Sequence, residues 1–353
     1  MSKNFSFLPD LLITLPVILL LSLGILVIFS SDTQLAVQQL IFAIIGLLLY
    51  WFLSLIDFEL YHHIVKYLYF AILSLLILLF LWGVETRGSV RWIPLGLFQF
   101  QPSEFAKPVL ILFLAKFWSN RPSSWKNILL SIVLILPIAG LVFKQPDLGT
   151  ALTLMAIWLV MLIGANISLL KLALMGVISA IITPIIWFFM QDYQKTRLLS
   201  FLSPNYDPLG AGYNAVQSMI AVGSGEMMGR GLGRGTQSRL QFLPEFRTDF
   251  IFASIAEEFG FFGSMIVLVL YGMLVGRIFK ILGTTSNRFN NLLVMGVLGM
   301  LFFQVIVNIG MNIGVVPVTG ITLPFLSYGG SSLISTLIAL SFVSSAARFT
   351  RLG

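Results

Sequence analysis

The feature that most limits this chain is the recurrence of apolar runs of about 20 residues, the length that crosses about 30 Å of hydrocarbon at about 1.5 Å per helical residue. Reading each run between its polar borders marks about ten candidate spans. They run from Pro9 to Ser30, Leu35 to Leu55, Ile64 to Gly83, Ser103 to Trp118, Ile128 to Phe143, Leu148 to Gly164, Leu169 to Met190, Phe250 to Phe279, Asn290 to Gly314 and Gly329 to Phe349. Charge agrees with them: 10% of the 353 residues are charged and 58% are hydrophobic, whereas a soluble domain carries roughly a quarter charged residues. So few charges cannot cover a water-facing surface. The expected fold is all-α, a polytopic membrane protein forming a single integral membrane domain over residues 1–353. The first run is longer than the apolar core of a signal peptide, and Phe29-Ser30-Ser31-Asp32 offers no small-x-small cleavage site, so no cleavable signal is expected.

An even number of spans puts both termini on one side, and the basic residues choose the side. With the termini in the cytoplasm, that face holds Lys3, Lys66, Lys116, Arg121, Lys126, Lys171, Arg277, Lys280, Arg288, Arg348 and Arg351, while the short outer loops hold Arg87, Arg91 and Lys144. A long extracytoplasmic loop, residues 191–248, then joins the seventh and eighth spans. Long connections of this kind are uncommon unless they are functional. A smaller polar interruption, residues 84–101, lies on the same face.

Composition also excludes chemistry. The chain has no cysteine, and its only histidines are His62 and His63, so a disulfide, a thiolate site and an HExxH metal site are all ruled out. No cofactor and no metal-ligand set is expected from these residues. The net charge of +7 fits cytoplasmic anchoring and contact with anionic lipid, and no nucleic-acid partner is expected.

Ionisable residues at membrane depth or its edge are costly and are the first functional candidates. Glu104 and Lys107, three residues apart, share a helical face and can neutralise each other. Asp147 would sit at the mouth of the sixth span, where an N-cap role is an equal explanation. Asp249 closes the long loop directly before an apolar helix, with Arg247 and Glu245 beside it. A carboxylate so placed can serve as a general base. Glu257 and Glu258 lie about two turns deeper, too far to act on the same bond, and suit a polar packing network. The segment Gly223 to Gly235 alternates glycine with Arg230 and Arg234, and Arg239 follows. It is not a GxGxxG nucleotide fingerprint. Either it is a flexible linker, or its bare N–H groups and guanidinium forks suit a phosphate or pyrophosphate. Arg87, Arg91 and Trp92 precede Gln99, Gln101 and Ser103 in the first outer loop. Trp92 there is an interfacial anchor or a stacking face for a sugar ring. The uncharged stretch Pro317 to Ser332 reads as a re-entrant turn whose backbone groups need a protein or water lining.

Four ordered motifs resemble those of the SEDS family (shape, elongation, division and sporulation). They are Arg91-Trp92-Ile93-Pro94-Leu95-Gly96 leading to Gln101-Pro102-Ser103-Glu104-Phe105-Ala106-Lys107; Gln145-Pro146-Asp147-Leu148-Gly149-Thr150; Pro244-Glu245 to Asp249-Phe250-Ile251-Phe252; and Pro317-Val318-Thr319-Gly320 through Leu323 to Ser332. The match spans about the whole chain. The short termini and the Gln145-Pro146-Asp147 form are more similar to the elongation branch, RodA, than to the division branch, FtsW. Two positions depart from the family: Arg247 stands where it usually has His, and Thr322 where it usually has Pro. A guanidinium cannot accept a proton at neutral pH, so Arg247 suits phosphate rather than proton handling.

The resemblance implies a peptidoglycan glycosyltransferase that polymerises lipid II at the outer face of the cytoplasmic membrane, with Asp249 as catalytic base and undecaprenyl pyrophosphate as leaving group. It places Trp92, Glu104, Lys107 and Asp147 around that site in supporting roles, and Arg91, Arg230, Arg234, Arg239, Arg247, Ser327 and Ser331 are further substrate-binding or supporting candidates. It also implies a class B penicillin-binding protein transpeptidase and the elongation machinery as partners. A divalent cation on the pyrophosphate is compatible with it, although no ligand cluster announces one. Two other readings explain the polar residues within the spans: a lipid II flippase without bond chemistry, and an ion-coupled transporter using Glu104, Lys107 and Asp147 as its relay.

Overall fold

The computed structural model describes residues 9–82, 84–86, 89–94, 99–203, 206–208, 210–285 and 287–350. Lys3, Arg87, Leu95, Gly96 and Arg351 therefore lie outside the described residues. Each apolar run marked in the sequence is a helix: α1 (Leu11–Ser31), α2 (Thr33–Leu53), α3 (Phe58–Trp82), α4 (Pro102–Ser119), α5 (Trp125–Lys144), α6 (Leu148–Gly164), α7 (Leu169–Phe189), α11 (Ile251–Leu282), α12 (Arg288–Asn312) and α13 (Gly330–Thr350). Among the described residues, seven helices are long and apolar enough to cross a membrane by length and composition. α4 is shortened in apolar character by Glu104, Lys107 and Lys116, and α6 has 17 residues.

Polar residues set the boundaries. Asp10 caps α1 by accepting from Leu12 N, and Asp32 ends α1 and caps α2 by accepting from Gln34 N and Leu35 N. Pro102 opens α4, where its missing N–H costs nothing. Asn287 caps α12. α12 is the central post, packed against α4, α6, α11 and α13. By contrast, no residue of α7 whose burial is described is buried.

The segment 191–248 departs from the expectation of a long loop. It folds into α8 (Asp192–Leu202), α9 (Ala211–Ser224) and the short α10 (Thr236–Arg239), and α9 packs on α11 and α12. Packing supplies the order that its low hydropathy does not announce. The polar interruption 84–101 forms a small antiparallel sheet of β1 (Val84–Thr86), β2 (Ser89–Pro94) and β3 (Gln99–Phe100), in the order β1-β2-β3.

The Pro317 to Ser332 stretch passes back into the bundle, with Leu323, Phe325 and Leu326 buried. Its backbone polar groups find side-chain partners, as burial away from water requires. Gln39 donates to Ser327 O and accepts from Gly329 N, Asn308 donates to Ile321 O, and Tyr271 donates to Pro324 O.

Candidate active site

A cavity of about 1160 Å³ opens where β2, the starts of α4 and α6, the turn before α11 and the Thr319–Ser332 stretch converge. Arg91, Trp92, Glu104, Lys107, Asp147, Arg247 and Asp249 all line it. Residues from four distant motifs thus share one space. Ser327 and Ser331 stand behind the wall: Ser327 Oγ donates to Thr248 O, and Ser331 Oγ accepts from Gln101 N at 3.1 Å. Arg230, Arg234 and Arg239 are not among the lining residues.

Asp249 is delivered by a tight turn. Glu245 takes a left-handed conformation (φ 55°), and its carbonyl accepts from both Thr248 N and Phe250 N. α11 begins just beyond, with Phe250 at its N-cap, so Asp249 stands one residue before the cap position. The backbone of the turn is held from two sides. Asn308 and Asn312 of α12 donate to Asp249 O at 2.9 and 3.1 Å, and Tyr328 N donates to Arg247 O at 2.8 Å.

Arg197 of α8 lines the same cavity as Asp249, and the motifs do not include it. Both side chains approach Gly320. A Cβ at Gly320 would sit 3.5 Å from Asp249 Oδ2 and 3.6 Å from Arg197 Nη1, and the glycine's φ of +75° is one that side chains disfavour. Carboxylate and guanidinium therefore flank one gap that glycine keeps open. Arg197 Nη1 donates to Thr319 O at 3.1 Å, its guanidinium lies over the Tyr193 ring, and the side chain lines the cavity. The only sequence signal for Arg197 was a cation inside a segment marked as functional; its acceptor is 122 positions away.

The other lining charges are largely committed to the protein. Lys107 and Glu104 form a buried ion pair at 2.6 Å, and Ser335 Oγ lies 3.4 Å from the same carboxylate oxygen. Asp147 caps α6 through Thr150 N at 3.1 Å and accepts from Gln101 Nε2 and Ser103 Oγ. Arg91 donates to Gln145 O and Pro146 O, tying β2 to the α5–α6 turn and setting Trp92 in the wall. Arg247 donates to Ser31 Oγ at 2.9 Å, lies 3.6 Å from Asp32 and covers the Phe246 ring. The other departure, Thr322, shares a 2.8 Å hydrogen bond with Ser332 Oγ. Tyr328 donates to Gln38 Oε1 at 2.6 Å, and burial together with the charge of Asp32 pushes its hydroxyl pKa up, so it acts here as a donor.

The glycine-rich segment does something other than what its composition invites. α11 breaks at Gly260 (φ 67°, ψ −157°), a conformation essentially reserved for glycine. The break orphans backbone groups, and the glycine segment satisfies them: Arg230 N and Gly231 N donate to Glu257 O and Glu258 O, while Phe261 N and Phe262 N donate to Glu226 O and Met227 O. Glu257 accepts from Gln237 N at 2.9 Å and from Thr236 and Ser238 hydroxyls, and Glu258 accepts from Ser30 Oγ. Arg239 donates to Ser30 O, and Arg230 to Ser224 O and Thr236 Oγ1. N–H groups expected to face a phosphate are thus spent on the kink, because a broken helix inside a bundle must recover its hydrogen bonds.

Comparison with known proteins places this geometry. Residues 2–352 match the family described as cell cycle protein FTSW_RODA_SPOVE. The peptidoglycan glycosyltransferase MrdB of Escherichia coli (strain K12) is 41% identical over 303 residues, covering 85% of this chain and 82% of that protein. Stage V sporulation protein E of Bacillus subtilis (strain 168) is 36% identical over 364 residues, covering 97% of this chain and 98% of that protein. Among solved structures, a chain described under the structural coordination of polymerization and crosslinking by a peptidoglycan synthase complex superposes with a TM-score of 0.85 at 34% identity, covering 98% of this chain and 99% of that one. The rod shape determining protein RodA of Thermus thermophilus superposes with a TM-score of 0.73 at 31% identity, covering 96% and 97%. With its helical bundle, its membrane-length spans and a match that runs almost from end to end, the chain belongs to the FtsW, RodA and SpoVE family of multi-pass membrane proteins.

Proposed function

We propose that Asp249 is the general base of a lipid II polymerase. The chain is a peptidoglycan glycosyltransferase, the activity carried by the relatives it matches over most of their length. In the reaction, the 4-hydroxyl of an acceptor GlcNAc attacks C1 of a donor MurNAc. The C1–O bond to undecaprenyl pyrophosphate breaks, its electron pair leaves with the pyrophosphate, and the hydroxyl proton passes to the Asp249 carboxylate. One-step displacement inverts C1. The observation that carries this reading is the pairing of Asp249 with Arg197 across the gap over Gly320: a base lies beside a cation whose donors can meet the negative charge that develops on the leaving group. Arg91 and Arg247 add guanidinium groups to the same wall. Trp92 offers a ring face to a sugar.

In this reading both termini are cytoplasmic and the cavity faces outward, where the substrate head group is delivered. The sequence has no Lys-Thr-Gly to complete a serine transpeptidase set, and in this reading cross-linking falls to a partner, a class B penicillin-binding protein of the elongation machinery. The similar chain in the peptidoglycan synthase complex supports this. A lipid II flippase would share the cavity. The two separate in one experiment: polymerisation of labelled lipid II by the purified protein with its transpeptidase, wild type against Asp249→Asn. We expect the variant to lose about 10²- to 10⁴-fold in rate while still binding lipid II. Full glycan synthesis by the variant would sink the general-base role, and a wild type that moves lipid across vesicles but makes no polymer would decide for the flippase.

A further inference from the structure

α12 carries three amides on one face at intervals of four residues: Gln304, Asn308 and Asn312. All three are buried, at 1%, 0% and 0% exposure. The upper two are satisfied. Asn308 Nδ2 donates to Asp249 O and Ile321 O, and Asn312 Nδ2 donates to Asp249 O and Asn308 O while its Oδ1 accepts from Ala253 N. Gln304 differs. Its Oε1 has no hydrogen-bond partner among the described residues, and its side chain lines the same cavity as Asp249. A buried amide left unpaired costs free energy that the neighbouring rungs do not incur.

Position along the helix tells what would pair with it. One turn separates Gln304 from Asn308, about 6 Å along the axis, and Asn308 touches the backbone of Asp249. That spacing is about the width of a pyranose ring. A sugar whose reacting group sits at Asp249 brings its ring substituents to the level of Gln304. The amide head carries no charge of its own, and the buried Glu104 and Lys107 of the same lining neutralise each other. The group it takes is therefore neutral and polar, either a hydroxyl or an amide. The two ends of the carboxamide exchange by a half-turn, so it can donate to or accept from such a group.

We propose that Gln304 is a specificity-determining residue that hydrogen-bonds a neutral hydroxyl or amide substituent of the sugar held at Asp249. The naming of the sugar rests on the lipid II reading above; the subsite itself rests on the unpaired amide. The test is a cycle of variant against analogue. Gln304→Met fills a similar volume without polar atoms, and lipid II analogues each lack one hydroxyl or the N-acetyl group. On intact lipid II the variant should lose roughly ten-fold in kcat/KM, the effect of one neutral hydrogen bond. For one analogue, wild type and variant should be equally slow, because the bond is already gone. Equal rates on lipid II, or the same loss on every analogue, overturns the proposal, since a purely structural role would slow all substrates alike. Equilibrium binding of the same analogues to the purified full chain repeats the cycle without turnover. If wild type binds lipid II but does not polymerise it, the polymerase reading falls while the binding cycle still decides the role of Gln304.

Discussion

Arginine stands beside glycine in two parts of this molecule. In the segment Gly223 to Gly235, Arg230 N and Gly231 N close on Glu257 O and Glu258 O, and the Arg230 side chain turns back to Ser224 and Thr236. At the cavity, Arg197 spends one donor on Thr319 O, and Gly320 keeps the space between it and Asp249. The same residue types mend a helix in one place and line the cavity beside Asp249 in the other. What separates the two is where the backbone donors go, which no count of glycines and arginines reveals.

The first way to break this contrast is at the kink. A Cβ on Gly260 would lie 2.3 Å from Gly229 N and 2.7 Å from Met227 O, both backbone atoms, at a φ of +67°. Neither the clash nor the dihedral can relax through a side chain. Gly260→Ala should therefore cost at least about 3 kcal/mol, read as a lowered unfolding midpoint of the purified protein in detergent. A midpoint equal to wild type would show that the glycine segment does not clamp the kink.

Next comes the pair of arginines. Arg197→Ala should slow polymerisation roughly 10²-fold, the scale of removing one donor aimed at developing negative charge, with little change in the unfolding midpoint. Arg230→Ala should do the reverse: polymerisation within about two-fold of wild type, and a stability loss of about 1 kcal/mol from two lost hydrogen bonds at an exposed site. If Arg230→Ala slows the chemistry as much as Arg197→Ala, the glycine segment takes part in binding the pyrophosphate after all.

These outcomes bear on what the sequence could reveal. Runs of membrane length determine the helices because hydrocarbon admits few alternatives, and every marked run is helical. Asp249 was legible because a carboxylate directly before an apolar helix needs a reason. Asp147 and the Glu104–Lys107 pair were legible as residues, and both explanations offered for Asp147 coexist in the structure: it caps α6 and lines the cavity. Arg197 was not legible. Its meaning depends on Thr319 and Asp249, brought to it only when α8 folds against the returning stretch. The segment 191–248 reads as a loop because α9 owes its order to packing on α11 and α12, and α8 and α10 to packing on α9, rather than to an apolar pattern. The role of the glycine segment depends on the φ of Gly260, which the letter G does not specify.

The smallest expected effect is the sharpest on proton handling. Arg247 holds Ser31 and Asp32 at the α1–α2 junction, with its ion pair at 3.6 Å and both side chains part-exposed. Such a pair contributes about 0 to 1 kcal/mol, and salt screens it. Arg247→His, the family's usual residue, should lower the unfolding midpoint slightly at low salt and not at high salt. Its imidazole, with an ordinary pKa of about 6.5, can accept a proton where the guanidinium cannot. If Asp249 alone takes the hydroxyl proton, polymerisation by the variant stays within about three-fold of wild type, and its pH profile keeps the wild-type shape. A gain of ten-fold or more with a new inflection between about pH 6 and 7 would mean that proton transfer limits the wild type at this position. Arg247 would then count as a costly departure rather than one more cation holding the cavity wall.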